Sequence, residues 1–185
     1  MKAVTNTSTL VRFYRARGFL KAFRNYYSDG ILVPLPCWNE LMRSSKPENV
    51  LMKEDATVGF ISIVEPSPDE ERLASHLIVL MRELADLRLD APNALAIAIA
   101  EQRGIEHVLS DDHVALAVPR IVELHVVVLD SLAVLKELAE ESLLGVRTLK
   151  DFEFAIKRFQ MEAHERFSHK RVLKALRELS GVLGH

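Results

Sequence analysis

Short apolar runs separated by helix-periodic stretches constrain this chain more than any other feature. Ala3-Val4, Ile31-Leu32-Val33, GFISIVEP (59–66), Glu106–Leu109 and His125–Leu129 are each too brief for a helix and are bounded by glycine, proline or polar clusters. Between them lie segments whose apolar residues recur three and four positions apart. A strand separated from the next by a helix cannot close a tight hairpin, and the alternation implies parallel pairing through crossover connections. The expectation is an α/β fold, a three-layer sandwich with a parallel sheet and right-handed crossovers.

Along the chain, residues 2–5 read as a buried strand. Helices over 8–17 and 19–27 follow, broken at Gly18, with Leu10, Phe13, Tyr14 and then Phe19, Leu20, Phe23 at helical spacing. Pro34 ends the second strand, and PCWNELMR starts a helix with Pro36 near its first turn. Residues 44–57, SSKPENVLMKEDAT, are polar and irregular and read as a surface loop with room for a short helical turn. GFISIVEP alternates as an edge strand, and a long helix runs from Pro68 to about Arg88 with Leu77, Leu80, Met81 and Leu84 on one face. LDAPNALAIAIAEQRG reads as a cap, a helix buried on nearly all sides and a stop at Gly104. Beyond the strand at 106–109, a helix over 112–123 and the strand at 125–129, the remainder is helical. Helices are expected over 131–143, 148–167 and 169–182, jointed at Gly145 and Ser168-His169. The division expected is a domain over 1–145 and a C-terminal helical extension over 146–185, packed on the same domain.

A length of 185 residues suits one buried core. The net charge of -2 gives no overall drive toward nucleic acid or membrane, but the charge is unevenly spread. Lys2, Arg12, Arg15, Arg17, Lys21 and Arg24 precede the first acid, Asp29, and the C-terminal helices carry Lys150, Lys157, Arg158, Arg166, Lys170, Arg171, Lys174 and Arg177. Such faces attract phosphate or are simply solvated. Cys37 is the only cysteine, so no disulfide framework or CxxC site exists, and a reducing, cytoplasmic location is expected. No signal-peptide stretch opens the sequence. The longest apolar run, Ala94–Ala100, is far short of the roughly 20 residues that span a bilayer, so no membrane association is expected.

In an open α/β sheet the functional crevice lies beyond the carboxyl ends of the strands. The residues falling there are Asn6, Glu40 one turn into the helix after the second strand, Asn93 at the start of the buried helix, and Ser110-Asp111-Asp112. Each has a structural alternative: Asn6-Thr7-Ser8 and Ser110-Asp111-Asp112 make good helix N-caps, Glu40 a solvated helix residue, Asn93 a first-turn polar residue. HERFSH (164–169) misses the HExxH zinc spacing by one residue, and no GxGxxG or P-loop motif occurs.

The succession VTNTSTL, ILVPLPCWNEL and LDAPNALAIAIAEQRGIEHVLSDDHVA resembles the PIN domains of the toxin-type ribonuclease superfamily. The nearest resemblance is to the branch whose first strand ends in Asn-Thr-Ser rather than Asp-Thr-Ser, and it covers roughly residues 2–145. It implies a metal-dependent endoribonuclease, in which three or four carboxylates hold Mg²⁺ or Mn²⁺ and the metal activates water against an RNA phosphodiester. Carried over by position, the acids fall on Asn6, Glu40, Asn93 and Asp112, with Asp111 as a spare acid and Asp90 one turn before Asn93. Glu40, Asp111 and Asp112 are then the catalytic carboxylates, and Asn6 and Asn93 the metal-facing amides. The resemblance also implies a small antitoxin-type partner and a homodimer.

Two of the four acids are amides here. An amide oxygen can coordinate a hard cation but brings no charge. A working nuclease needs Asp90 or Asp111 to join Glu40 and Asp112 at the strand ends. The alternative, a non-catalytic PIN-like protein that binds RNA or a protein partner, has Asn6 and Asn93 hydrogen-bonded to neighbours. The C-terminal row Phe152, Ala155, Ile156 and Phe159, with basic residues opposite, suits either a dimer interface or grip on nucleic acid, or else a helical pair covering the core.

Overall fold

A computed structural model describes residues 1–183. Its strands are β1 (Ala3–Thr5), β2 (Ile31–Pro34), β3 (Ile61–Val64), β4 (His107–Leu109) and β5 (Val127–Leu129). They form one sheet in the order β3-β2-β1-β4-β5, with every neighbouring pair parallel. The helices are α1 (Ser8–Arg15), α2 (Arg17–Tyr26), α3 (Leu35–Met42), α4 (Pro47–Thr57), α5 (Pro68–Ala85), α6 (Ala91–Gln102), α7 (His113–Val122), α8 (Ser131–Glu140), α9 (Leu149–Ala163) and α10 (His169–Leu179).

The pleat sends successive strand residues to opposite faces. Ala3, Ile31, Val33, Leu109 and Leu129 enter one core, with side chains of α1, α2, α8, α9 and α10. Val4, Leu32, Val108 and Val128 enter a second core, filled by α5, α6 and α7. Helices therefore cover both faces of a parallel sheet, the three-layer α/β sandwich expected from the alternation of elements. Among the described residues no helix is long and apolar enough to cross a membrane.

Three local expectations need correction. The break between the first two helices falls at Ala16, not Gly18. Ala16 is fully buried and leaves the helical region (φ -78°, ψ 65°), while its carbonyl accepts from Phe19 N at 2.8 Å. The bend lets both apolar rows face one core, where Phe13 stacks on Phe23 with ring centroids 4.4 Å apart. Residues 44–57 are not a loop, because α4 spans most of them. Its polar residues point inward to specific partners: Glu48 to Arg15 at 2.8 Å, Asp55 to Arg24 at 2.7 Å and to the Tyr14 hydroxyl, and Asn49 Nδ2 to Leu41 O at 3.0 Å. Only Met52 supplies a fully buried apolar side chain, so apolar periodicity could not reveal the helix. At the C-terminal end α9 stops at His164, in the left-handed region at φ 55°, and the joint runs from there to the Ser168 cap of α10. Phe152, Ile156, Phe159 and Phe167 lie in the same core as α1 and α2, so the apolar row of α9 is core.

From β1 the chain moves outward through β2 and β3, then returns to place β4 on the other side of β1. The strand order thus reverses between β1 and β4, and the crevice of such a sheet lies where those two strands end.

Candidate functional site

Asn6 follows β1 and Ser110 follows β4, on the two sides of the switch point. Thr5 Oγ1 ties the strand ends together by donating to Leu109 O at 3.1 Å. Asn6 Nδ2 donates to Asn93 Oδ1 at 2.7 Å, and Ser110 Oγ donates to the same oxygen at 2.6 Å. The Asn6 oxygen accepts from both Ser8 N and Ser8 Oγ at 3.1 Å. Asn93 is 1% exposed, and Asp90 caps its helix by accepting from Asn93 N at 2.7 Å. Both amide oxygens are therefore filled by two donors each. Between Asn6 and Ser8 the backbone is strained: Thr7, a β-branched residue, sits at φ 111°, a conformation costing on the order of 1–3 kcal/mol. Thr7 N to Thr5 Oγ1 (3.3 Å) and Val11 N to Thr7 O (2.9 Å) hold it there.

The acids have divided roles. Asp112 is an N-cap, its Oδ1 accepting from Val114 N at 2.8 Å and Ala115 N at 2.9 Å, while its second oxygen makes no hydrogen bond among the described residues. Asp111 is saturated. Its Oδ1 accepts from Ser131 N (2.9 Å), and its Oδ2 from Thr9 Oγ1 (2.8 Å), Ser131 Oγ (2.7 Å) and the Arg12 guanidinium (2.5 Å). Arg12 also reaches Glu165 at 2.6 Å, so this cluster joins α1, the exit of β4, the start of α8 and the connector before α10. Glu40 is exposed on α3, and its carboxylate makes no hydrogen bond or ion pair among the described residues. Burial pushes the Cys37 thiol up to about 11, and the nearby Glu40 and Asp90 carboxylates add to that, so this cysteine is an inert core group.

The structure thus brings Asn6, Asn93 and Ser110 into one hydrogen-bonded cluster, with Asp112 tied to it through its N–H to Ser110 Oγ at 3.2 Å. Glu40 makes no bond to that cluster, and Asp111 turns toward Arg12. Sequence reading did not single out Arg12, Thr9 or Ser131. Thr9 and Arg12 are three apart on one face of α1, a signal for a shared contact but not for which acid they would meet. Of the six early basic residues, Arg12, Arg15 and Arg24 are consumed by Asp111, Glu48 and Asp55. Half of the N-terminal basic residues are thus neutralised, while Lys2, Arg17 and Lys21 form no ion pair among the described residues.

A resident Mg²⁺ or Mn²⁺ needs several free oxygen ligands, with carboxylates supplying charge. The donor set does not fit one as arranged. Both amide oxygens are occupied, Asp111 already carries a guanidinium, and Asp112 has one oxygen to spare. Among the described residues no group of three or more His, Cys, Asp or Glu side chains stands at metal-holding spacing.

A family model described as "PIN domain" matches residues 2–181, a span that takes in both C-terminal helices. No curated protein matches the chain. Among solved structures the chain is similar to the crystal structure of VapBC2 from Rickettsia felis bound to a DNA fragment from their promoter. The identity is 13%, the match covers 70% of this chain and 98% of that one, and the TM-score is 0.49.

Proposed function

This chain belongs to the PIN-domain family, and from that membership we propose that it is a binding member, holding RNA at the switch-point crevice without efficient cleavage. The observation that carries this reading is the closed amide cluster, Asn6 Nδ2 to Asn93 Oδ1 at 2.7 Å with Ser110 on the same oxygen. A unit charge pair at 4 Å is worth about 4 kcal/mol at an effective dielectric near 20, and a divalent ion doubles that. Two neutral amides forgo this attraction at two of the four acid positions, and Arg12 cancels it at Asp111. What remains suits hydrogen bonding to a ligand. Asn93 Nδ2 makes no hydrogen bond among the described residues, Ser8 is exposed, and one Asp112 oxygen is unspent. The test is incubation of end-labelled single-stranded RNA with the protein and millimolar Mn²⁺ or Mg²⁺, beside an Asp112→Asn variant. The expected result is retained, intact RNA with both proteins. Turnover that the substitution abolishes would overturn the reading.

One observation favours the second reading, a metal-dependent endoribonuclease of the toxin type. Glu40 is unpaired and exposed, and it shares the neighbourhood of Cys37 with Asp90. In that case Glu40 and Asp112 would be the carboxylates that hold a divalent ion, with Asn6, Asn93 and Asp111 beside them, and the ion would supply activation of water. A small antitoxin-type protein would then cover the crevice, and a homodimer is the assembly the resemblance implies.

A further inference from the structure

Residues 146–185 hold nine Lys and Arg against five Asp and Glu, a net of +4 in a chain whose total is -2. Three of these nine cations are spent locally: Lys157 pairs with Glu153, Arg158 with Glu162 and Arg171 with Asp130. On α10 the distribution is different. Val172, Ala175, Leu176 and Leu179 form its inward side. Lys170, Lys174 and Arg177, at i, i+4 and i+7, fall on the side directly opposite. Lys170 and Arg177 form no ion pair among the described residues, and Lys174 reaches only Glu178, at 3.7 Å, with its side chain 72% exposed. Arg166, exposed in the connector just before the helix, is likewise unpaired there. The outward face of α9 mixes both signs and carries Phe154 and Met161, so of the two C-terminal helices only α10 bears a one-sign row.

Two contacts fix where this row begins. Arg171 pairs with Asp130, the residue immediately after β5, and Glu165 reaches Arg12, which holds Asp111 after β4. The connector and the first turn of α10 therefore stand at the carboxyl edge of the sheet, the edge at which the crevice opens.

We propose that Arg166, Lys170, Lys174 and Arg177 form a phosphate-binding ridge for single-stranded RNA, running from the crevice outward along α10. This deepens the reading above and rests on it: the crevice holds a nucleotide by hydrogen bonds while the ridge carries the flanking backbone. Charge complementarity selects the occupant, because phosphates repeat along a strand as the cations repeat along the helix, and contacts of this kind position the chain without reading sequence. Fluorescence anisotropy with a short labelled RNA in EDTA, from 50 mM to 500 mM salt, tests the ridge. The triple variant Lys170→Gln, Lys174→Gln, Arg177→Gln alters only exposed positions and should keep the wild-type melting temperature. Three lost phosphate contacts at a single strand's ~0.7 per charge predict a slope of log K on log salt shallower by about 2, and binding at 100 mM salt at least about tenfold weaker. Equal affinity and slope in the two proteins would overturn the ridge while leaving RNA retention at the crevice standing. Absence of wild-type RNA binding, or capture of phosphatidylserine vesicles in its place, would also overturn it. Metal-dependent cleavage with the ridge effect intact would instead overturn only the non-cleaving reading.

Discussion

Asn93 shows what one atom decides. Its oxygen, buried at the meeting of β1, β4 and α6, accepts from Asn6 and Ser110, and an isosteric carboxylate would keep both contacts while adding charge. Converting both amides (Asn6→Asp, Asn93→Asp) would instead face two carboxylates across 2.7 Å. Without metal the double variant should lose about 2–4 kcal/mol at pH 7, and recover most of it near pH 4, where one carboxyl protonates. Urea denaturation at the two pH values checks this, and an unchanged midpoint at pH 7 would count against the geometry. Arg12 is the second such residue, for it supplies the only opposite charge, among the described residues, to an acid whose side chain is 6% exposed. Arg12→Ala should cost about 2–4 kcal/mol, seen as a lowered Tm. Asn6 stood out because it follows the first strand and Asn93 because it opens the buried helix, both positions that local sequence marks. The Arg12–Asp111 pair did not, because a counterion is chosen by three-dimensional packing of α1 against the exit of β4, which no local spacing encodes.

The elements show where local signals suffice. Helix α5 announces itself: Ser67 and Glu70 form a reciprocal capping box, and Pro68 opens the first turn. Glu70 does further work, since Arg103 grips both its oxygens at 2.6 and 3.0 Å, joining α5 to the end of α6. That hydrogen bond from Arg103, with Ser67 N assisting against the effect of burial, holds Glu70 below the usual glutamate range. A depressed folded-state value stabilises the fold above the unfolded pKa, near 4.3, and the benefit is lost as pH falls through the folded value. Glu70→Gln should therefore cost about 1–3 kcal/mol at pH 7, with the gap to wild type narrowing toward pH 3 in urea titrations. A gap independent of pH would mean that shape rather than charge matters there. Helix α4 was illegible for the reason that α5 was plain. Its stabilising contacts are polar side chains aimed at Tyr14, Arg15 and Arg24, and they look like solvent-facing charge until α1 and α2 are in place.

For the whole molecule, the parallel pairing follows from the alternation of short strands and helices, whereas the strand order β3-β2-β1-β4-β5 is set by packing between elements far apart in the chain. The integration of the C-terminal helices is a matter of packing: Phe152, Ile156 and Phe159 sit in the core with Phe13 and Phe23, and Phe13 meets the Phe159 ring at 4.9 Å. Truncation after residue 145 should expose that face and give self-associating protein by size-exclusion chromatography. A soluble, monomeric truncation with unchanged melting would contradict the shared core. The proposed function requires that the amides Asn6 and Asn93 and the Arg12 guanidinium leave no room for a metal ion at the strand ends. Calorimetric titration of the full chain with Mn²⁺, beside Asp112→Asn, reads this most directly. The expected result is no saturable binding below the millimolar range in either protein. Micromolar binding by the wild type that disappears in Asp112→Asn would show that the amides and Asp111 open to a metal, and would contradict it.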